Sequence, residues 1–167
     1  LCTGSGAIAI AVYKELEKNR RKVSVTASDI SAEALELAKE NALENNADIA
    51  FVQSDLFSRI RGRYNIIVSN PPYIPSAELA ELPHEVAGFE PRLALDGGPD
   101  GLAFFDRLVT EALPLVREGG FFACELHETC LDEAARRLRE AGCVDVKVTK
   151  DLVGRDRIVS GVCRDLQ

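Results

Sequence analysis

Short runs of β-branched and apolar residues alternate in this chain with longer segments whose apolar residues recur at helical spacing. This alternation predicts an α/β fold with a mostly parallel sheet, because a helix must carry the chain back before the next parallel strand can begin. The first half of the pattern predicts helices at 7–19 and 32–45 and strands at 23–28, 49–53 and 64–69. The strand at 64–69 is apolar enough to be buried on both faces of a sheet.

The second predicted helix carries the clearest local signals. Ser31 is placed as its N-cap, since a serine oxygen can accept a free backbone N–H in the first turn. Its apolar face is predicted to hold Leu35, Ala38, Ala42 and Leu43.

Residues 70–100 contain six of the seven prolines and show no clear period, so they form either a functional loop or a linker. The ordered segments that follow favour a loop. A helix is predicted at 102–116, with Asp100 as its cap, and Gly119-Gly120 is expected to break it before a strand at 121–126.

The C-terminal part predicts an amphipathic helix followed by two strands. Four apolar residues share one face of the helix: Leu131, Ala134, Ala135 and Leu138. The strands at 144–149 and 157–162 are joined by a turn around Gly154 with no helix between them. This ending predicts an antiparallel hairpin at the sheet edge.

The 167 residues, 46% of them hydrophobic, predict one globular domain with a real core. A net charge of −7 argues against a broad nucleic-acid surface, which needs clustered Lys and Arg. No apolar run approaches the ~20 residues of a membrane helix. The chain has no Met and begins at Leu1, so we expect it to be a piece of a longer protein, with structure missing before Leu1. No feature predicts an oligomeric state.

Five cysteines, at positions 2, 124, 130, 143 and 163, are odd in number and show no Cys-x-x-Cys spacing. The pattern argues against a disulfide framework or a zinc site. We expect small, partly buried apolar residues in a reducing cytoplasm. With only two histidines, no metal site is expected.

Thr3, Gly4, Ser5 and Gly6 run directly into the first helix. A glycine turn that opens a helix lets a ligand approach the backbone, and the helix N-terminus offers free N–H groups. Asp29 ends the next strand near the offset at which an acidic residue holds a ribose hydroxyl in nucleotide-binding βαβ units. The simpler alternative is that the glycines only permit tight packing and Asp29 begins a turn.

Asp55 places a second carboxylate after the next strand, where ligands bind in open α/β sheets. Two acidic strand ends beside one glycine loop favour an adenosine-like ligand, although Asp55 could instead cap a helix. Spacing leaves a dinucleotide open, because Ala9 fits the third small position of that fingerprint.

Asn70-Pro71-Pro72-Tyr73 directly follows the third strand. An amide nitrogen is a poor nucleophile, so an enzyme that alkylates one must hold it in line and accept its hydrogens. The side-chain oxygen of Asn70 and the carbonyl of Pro71 can do this, while Tyr73 offers an aromatic face. Hydride transfer to a dinucleotide has no evident use for this element, so a dinucleotide ligand is the less favoured interpretation. An ordinary Asn-Pro turn with a buried tyrosine is the plainer alternative.

Taken in order, five segments resemble the bacterial peptide chain release factor glutamine N5-methyltransferases: 1–10, 27–31, 54–57, 69–74 and 89–102. The Asn-Pro-Pro-Tyr element alone is shared with adenine N6 methyltransferases of DNA and RNA. The 89–102 block is the specific part, shared mainly with the sister enzymes that methylate a glutamine of a ribosomal protein. The resemblance implies a class I, Rossmann-like, S-adenosylmethionine-dependent catalytic domain spanning 1–167.

The resemblance also implies roles for individual residues. Thr3, Gly4, Ser5 and Gly6 would contact the methionine part of S-adenosylmethionine, Asp29 the ribose and Asp55 the adenine amino group. Asn70 would lie against both cofactor and substrate. Asn70 and Pro71 would hold the glutamine amide, with Pro72 and Tyr73 completing the substrate site and no metal taking part. The implied substrate is the glutamine of the Gly-Gly-Gln tripeptide of release factors, in the cytoplasm, which links the chain to translation termination.

The chain also departs from the family. The acidic residue before the glycine loop and the N-terminal helical domain would precede Leu1, and His127 stands where the family has a glycine. We expect His127 to be a surface-loop residue rather than a base, and His84 to be structural or solvent-facing. Three alternatives stay open: a ribosomal-protein substrate, adenine in DNA or RNA, and a binding module without turnover.

Overall fold

The computed structural model describes residues 1–19, 23–82 and 91–164. The chain forms two compact units, 1–61 and 62–167. No helix in the described ranges is long and apolar enough to cross a membrane.

The first unit alternates helices and parallel strands. It consists of α1 (Ala7–Lys18), β1 (Val25–Asp29), α2 (Ala32–Glu44) and β2 (Ile49–Gln53). Strands β1 and β2 pair in parallel, with Asp29 opposite Gln53 at their C-terminal ends. The helices and β2 confirm the sequence predictions to within a residue, whereas β1 begins two residues later than predicted and includes Asp29.

Helix α2 shows why its sequence is helical. The Ser31 hydroxyl accepts the Ala34 N–H at 3.1 Å, which confirms the predicted N-cap. Leu35, Ala38 and Ala42 are buried as predicted. Leu43 is 80% exposed, so its predicted place on the apolar face is wrong. It lies one residue past Ala42, about 100° around the helix and away from the buried stripe.

The second unit contains one four-stranded mixed sheet. Its elements are β3 (Tyr64–Ser69), α3 (Arg92–Leu95), α4 (Ala103–Ala112), β4 (Val116–Glu125), α5 (Leu131–Glu140), β5 (Val144–Lys150) and β6 (Asp156–Val162). The strand order is β3-β4-β6-β5. β3 and β4 pair in parallel, while β6 pairs antiparallel with both β4 and β5. The predicted C-terminal hairpin at the sheet edge is therefore confirmed.

The core of this unit lies between its helices and sheet. All four apolar residues predicted on one face of α5 are buried: Leu131, Ala134, Ala135 and Leu138. Phe105 of α4 and Phe122 of β4 are fully buried, with ring centroids 6.5 Å apart. Cys124, Cys130, Cys143 and Cys163 are buried and Cys2 is half-buried, and all five are thiols rather than disulfides, as expected of small apolar residues.

Two predictions for the second unit are wrong. The helix predicted at 102–116 ends at Ala112, because Pro114 cannot continue it and a 3₁₀ turn, Leu113–Leu115, follows. Strand β4 begins at Val116 and runs through Gly119 and Gly120 as an irregularity in its pairing with β3. Gly119 has φ +71°, so the glycines bend a strand rather than separate it from a helix.

Strand β3 also differs from its prediction. Among the described residues it pairs with β4 alone and forms the edge of its sheet. Ile66 is 45% exposed and Phe121, its register partner on β4, is 40% exposed. The prediction that β3 is buried on both faces is therefore wrong, because one face of this strand pair stays open to solvent.

Candidate active site

The glycine loop, residues 3–6, is a closed turn at the start of α1. The Thr3 N–H donates to the Ser28 carbonyl at 3.0 Å, which ties the loop to β1. The Gly6 N–H donates to the Thr3 carbonyl at 2.8 Å and closes the turn. Gly4 and Gly6 have φ values of +51° and +82°, a region that side chains rarely adopt. The loop conformation therefore favours glycine at both positions.

The two glycines differ in what surrounds them. A Cβ at Gly6 would lie 3.1 Å from the Ala38 Cβ, so close packing against α2 explains that glycine. A Cβ at Gly4 would meet no described atom within 4 Å. Packing does not explain Gly4, whose exposed backbone leaves room for a ligand.

Asp29 joins the loop to the end of β1. Its Oδ2 accepts the Gly4 N–H at 2.9 Å and its Oδ1 accepts the Ser31 N–H at 3.0 Å. A carboxylate has about four acceptor positions, so both oxygens keep capacity for further donors such as ribose hydroxyls. The half-buried side chain fixes the loop and still offers acceptors.

Asp55 lies just beyond the end of β2 and is exposed. The Ser54 N–H donates to the Asp29 carbonyl at 2.9 Å, so the two strand ends are joined directly. The Ser54 hydroxyl donates to the Leu56 carbonyl and accepts the Arg59 N–H, which fixes the turn that carries Asp55. The first unit thus brings the glycine loop, Asp29 and Asp55 to the carboxyl ends of neighbouring parallel strands.

Sequence reasoning missed one residue that holds the glycine loop of the first unit. The Asn41 side-chain amide donates to the Ser5 carbonyl at 2.9 Å, so α2 holds the glycine loop from a second side. Asn41 is half-buried and lies about one helical turn past the buried Ala38, but nothing in its sequence context indicates a partner 36 residues away.

The donor and acceptor set fits a nucleoside. Carboxylates at two strand ends accept hydroxyl and amino protons, which ribose and adenine provide. Ribose and adenine are the parts of S-adenosylmethionine that this arrangement suits. The assignment of Thr3, Gly4, Ser5, Gly6, Asp29 and Asp55 to cofactor contacts stays a prediction.

In the second unit, residues 70–73 leave the end of β3. Asn70 and Tyr73 are half-buried, whereas Pro71 and Pro72 are buried. The Tyr73 hydroxyl donates to Glu125 Oε1 at 3.4 Å. The pKa of Tyr73 is raised, first because the side chain is buried and then because the Glu125 charge disfavours a second anion, while Arg157 opposes the shift. The tyrosine thus stays protonated and able to donate.

Residues 95–98, which we call the clasp, bind the chain just after Tyr73. The Ile74 N–H donates to the Leu95 carbonyl at 3.0 Å, and the Gly97 N–H donates to the Ile74 carbonyl at 2.8 Å. The Ser76 N–H donates to the Gly98 carbonyl at 2.9 Å. These backbone bonds form a short parallel bridge that fixes the exit of the 70–73 segment.

Asp96 closes the clasp with its side chain. Its Oδ1 accepts the Ser76 hydroxyl at 2.6 Å and the Gly98 N–H at 3.1 Å, while Arg92 donates to Oδ2 at 3.3 Å. The hydrogen bond from Ser76 is the largest cause that lowers the pKa of Asp96, followed by that from Gly98. The clasp is therefore held most firmly when Asp96 is ionised.

Two glycines beside the clasp touch the Tyr73 backbone. A Cβ at Gly97 would lie 2.6 Å from Tyr73 Cα, and a Cβ at Gly101, where φ is +75°, would lie 2.5 Å from the Tyr73 carbonyl oxygen. Cys130 supports this region, since its thiol donates to the Asp100 carbonyl at 3.3 Å. Gly97 and Gly101, which belong to the block that carries the specific resemblance, thus pack directly against the backbone of Tyr73.

The predictions for the two histidines have different outcomes. His127 lies in the loop after β4, is partly exposed, and has its Nδ1 2.8 Å from the Thr129 hydroxyl, as expected of a surface-loop residue. His84, like Phe89 and Glu90 of the specific block, lies outside the described residues. Within the described ranges, no three His, Cys, Asp or Glu side chains cluster as a metal site would need.

The chain resembles known methyltransferases in sequence. A profile of the methyltransferase small domain family matches residues 1–84. A release factor glutamine methyltransferase of Caulobacter vibrioides is 40% identical over 170 residues, covering 100% of this chain and 57% of that protein. One of Streptococcus pneumoniae is 43% identical over 161 residues, covering 94% of this chain and 55% of that protein. The chain spans about half the length of the curated relatives it matches.

A solved structure shows the same fold. A methyltransferase from Pyrococcus furiosus matches with a TM-score of 0.69, covering 97% of this chain and 72% of that chain, at 24% identity. At this identity the likeness concerns the fold alone. It confirms the predicted α/β fold of the class I methyltransferases, with parallel strands first and an antiparallel hairpin at the end.

Proposed function

We propose that this chain, which belongs to the methyltransferase small domain family, is the catalytic domain of a release factor glutamine methyltransferase. The acceptor would be the side-chain N5 of the glutamine in the Gly-Gly-Gln tripeptide. The observation that carries the proposal is the fixed 70–73 segment, held by the block that marks the specific resemblance. The identity of 38–43% to proteins of that name supports it.

The first unit would bind the cofactor. When bound, S-adenosylmethionine would supply a methyl group attached to a positively charged sulfur. Thr3, Gly4, Ser5 and Gly6 would contact its methionine part through the open backbone, and Asp29 would accept the ribose hydroxyls. Asp55 would accept the adenine amino group. Asn41 would keep the loop in place through the Ser5 carbonyl.

The second unit would hold the acceptor. Asn70 Oδ1 and the Pro71 carbonyl would accept the two hydrogens of the glutamine amide, which directs the nitrogen lone pair along one line. Pro72 stiffens the position of that carbonyl, and Tyr73 would pack on the amide plane. Bound S-adenosylmethionine would supply its methyl group to the amide nitrogen held by Asn70 and the Pro71 carbonyl, its neutral thioether would be the leaving group, and one amide proton would pass to water.

Release factors would be the protein partners, no direct binding to nucleic acid or to a membrane is expected, and the enzyme would work in the cytoplasm. The acidic balance of the chain supports a protein acceptor over adenine in DNA or RNA, since a nucleic-acid substrate needs phosphate contacts.

The test uses the full-length protein that carries this chain, with S-adenosylmethionine and a purified bacterial release factor, followed by peptide mass spectrometry. We expect one added methyl on the Gly-Gly-Gln glutamine. Asn70→Ala should abolish it, whereas Asn65→Ala, an exposed asparagine on β3, should not. Methylation of ribosomal protein or of an adenine oligonucleotide, with none of release factor, would replace the proposed substrate.

A further inference from the structure

Glu125 has no part in the reaction proposed above, yet it contacts the segment that would hold the glutamine. Its Oε1 accepts the Tyr73 hydroxyl at 3.4 Å. We infer that Glu125 is a positioning residue, whose carboxylate anchors the ring of Tyr73 against which the acceptor amide packs. The inference rests on the proposed function for the identity of that amide.

The backbone around Glu125 is rigid. Glu125 ends β4, which lies between β3 and β6 in the sheet. Ser69 pairs with Cys124 in the parallel register of β3 and β4, so Glu125 leaves the sheet at the same level as Asn70. On its other side Glu125 pairs with Ile158, and the Leu126 N–H donates to the Arg157 carbonyl at 2.9 Å. The carboxylate therefore starts from a fixed point.

The backbone of Tyr73, at the other end of the side chain from the hydroxyl, is also held in place. Its Cα and carbonyl lie so close to Gly97 and Gly101 that a single added methyl would clash with them. With the backbone fixed, a hydrogen bond at the hydroxyl restrains χ1, because the hydroxyl oxygen lies on the axis of the second torsion. The direction of the ring axis is thus defined from both ends before any substrate arrives, as a preorganised site requires.

The charges near the hydroxyl come from three elements. Glu125 on β4 is the acceptor, Arg157 on β6 acts on the same hydroxyl with the opposite sign, and Asp151, in the turn between β5 and β6, pairs with Arg157 at 3.6 Å. Of these side chains, Glu125 has the larger effect on the pKa of the hydroxyl, and it raises that pKa. Glu125 is therefore the side-chain acceptor that the structure gives to the Tyr73 hydroxyl.

A double-mutant cycle tests the inference in the full-length protein. Tyr73→Phe removes the hydroxyl and keeps the ring, and Glu125→Ala removes its acceptor. We expect each single variant to lower kcat for release factor methylation about three- to tenfold, with affinity for S-adenosylmethionine unchanged. The double variant should lose no more than the larger single loss. Losses that multiply in the double variant would show that the two residues act independently and would overturn the inference.

A second readout needs no substrate. The difference in tyrosinate absorbance between wild type and Tyr73→Phe isolates one of the three tyrosines during an alkaline titration. Glu125→Gln should move that titration to lower pH, because it removes a negative charge from beside the hydroxyl. Glu118→Gln, an exposed glutamate on the same strand, is the matched control and should leave it in place.

The two readouts separate the possible failures. An unchanged titration in Glu125→Gln would overturn the contact itself. A wild-type protein that methylates no release factor, but shows the expected titration, would overturn the proposed function and leave the contact intact. Full activity in Glu125→Ala, in a wild type that methylates release factor, would overturn the inference alone.

Discussion

Asp29 Oδ2 accepts the backbone N–H of Gly4 at 2.9 Å, across 25 residues of sequence. The bond links a carboxylate at the end of β1 to the open glycine of the loop, so the acceptor that would hold a ribose also sets the shape of the loop beside it. A change at Asp29 therefore affects two parts of the proposed cofactor site together.

Asp29→Asn should weaken S-adenosylmethionine binding about 10- to 100-fold, because one oxygen becomes a donor facing a backbone N–H and the charge-assisted bonds are lost. Isothermal titration calorimetry measures the dissociation constant. Asp48→Asn, an exposed carboxylate in the same unit, should bind like wild type. Equal affinity in the two variants would rule out the role given to Asp29.

Gly101→Ala should lower the free energy of unfolding by about 3 kcal/mol or more, since the new Cβ meets the Tyr73 carbonyl at a backbone conformation that disfavours alanine. Gly154→Ala has a similar positive φ with nothing within 4 Å, and should cost only about 1 kcal/mol. Urea unfolding followed by circular dichroism measures both. Similar losses of unfolding free energy in the two variants would mean that the close approach to Tyr73 does not contribute to the cost at Gly101.

Acid should loosen the clasp through Asp96. The pKa of this carboxyl is lowered in the folded protein, chiefly by the Ser76 hydroxyl, so its ionisation favours folding. That contribution is fully present above the ordinary value of 3.8 and is lost as the pH falls through the lowered value.

Urea midpoints at neutral pH and at pH values below 3.8 measure this effect. Asp96→Asn keeps an oxygen for Ser76 and Gly98 but cannot ionise, so its stability should fall less steeply in acid than that of wild type. Parallel acid curves for the two proteins would contradict the assignment.

Leu138→Ala should destabilise the protein by about 2–5 kcal/mol, because this α5 side chain is fully buried and its removal leaves a cavity. Leu152→Ala is the same chemical change at a residue that is fully exposed, and should stay within about 0.5 kcal/mol of wild type. Thermal unfolding of the two variants gives the comparison. A small loss at Leu138 would mean that the core closes around the missing side chain.

Local pattern was enough to predict most elements. Periodicity and the Ser31 cap place α2, and the buried stripe of α5 was predicted residue by residue, since both depend on neighbours three or four positions apart. The region 112–120 was misassigned because Gly119-Gly120 signals a break in either a helix or a strand. Which of the two it interrupts depends on pairing with β3, which the local sequence does not encode.

The long-range contacts at the candidate site, in contrast, do not correspond to any local pattern in the sequence. The clasp joins Ile74 to Leu95 through backbone groups, and every residue type carries those groups. The Tyr73 hydroxyl finds Glu125 across 52 residues because β3 and β4 are neighbours. Sequence motifs indicated which residues matter at 70–73 and 95–101, but only the fold explains that the second segment supports the first.

The strand order of the second unit has a consequence for folding during synthesis. β6 follows the other described strands in sequence yet lies between β4 and β5, so these strands cannot complete their pairing until residues 156–162 have been made. Until then β4 and β5 present unpaired edges, which are sites for association with other chains. A ribosome that stops before Asp156 would release a chain whose central strand is unprotected, and chaperone binding should concentrate on such intermediates.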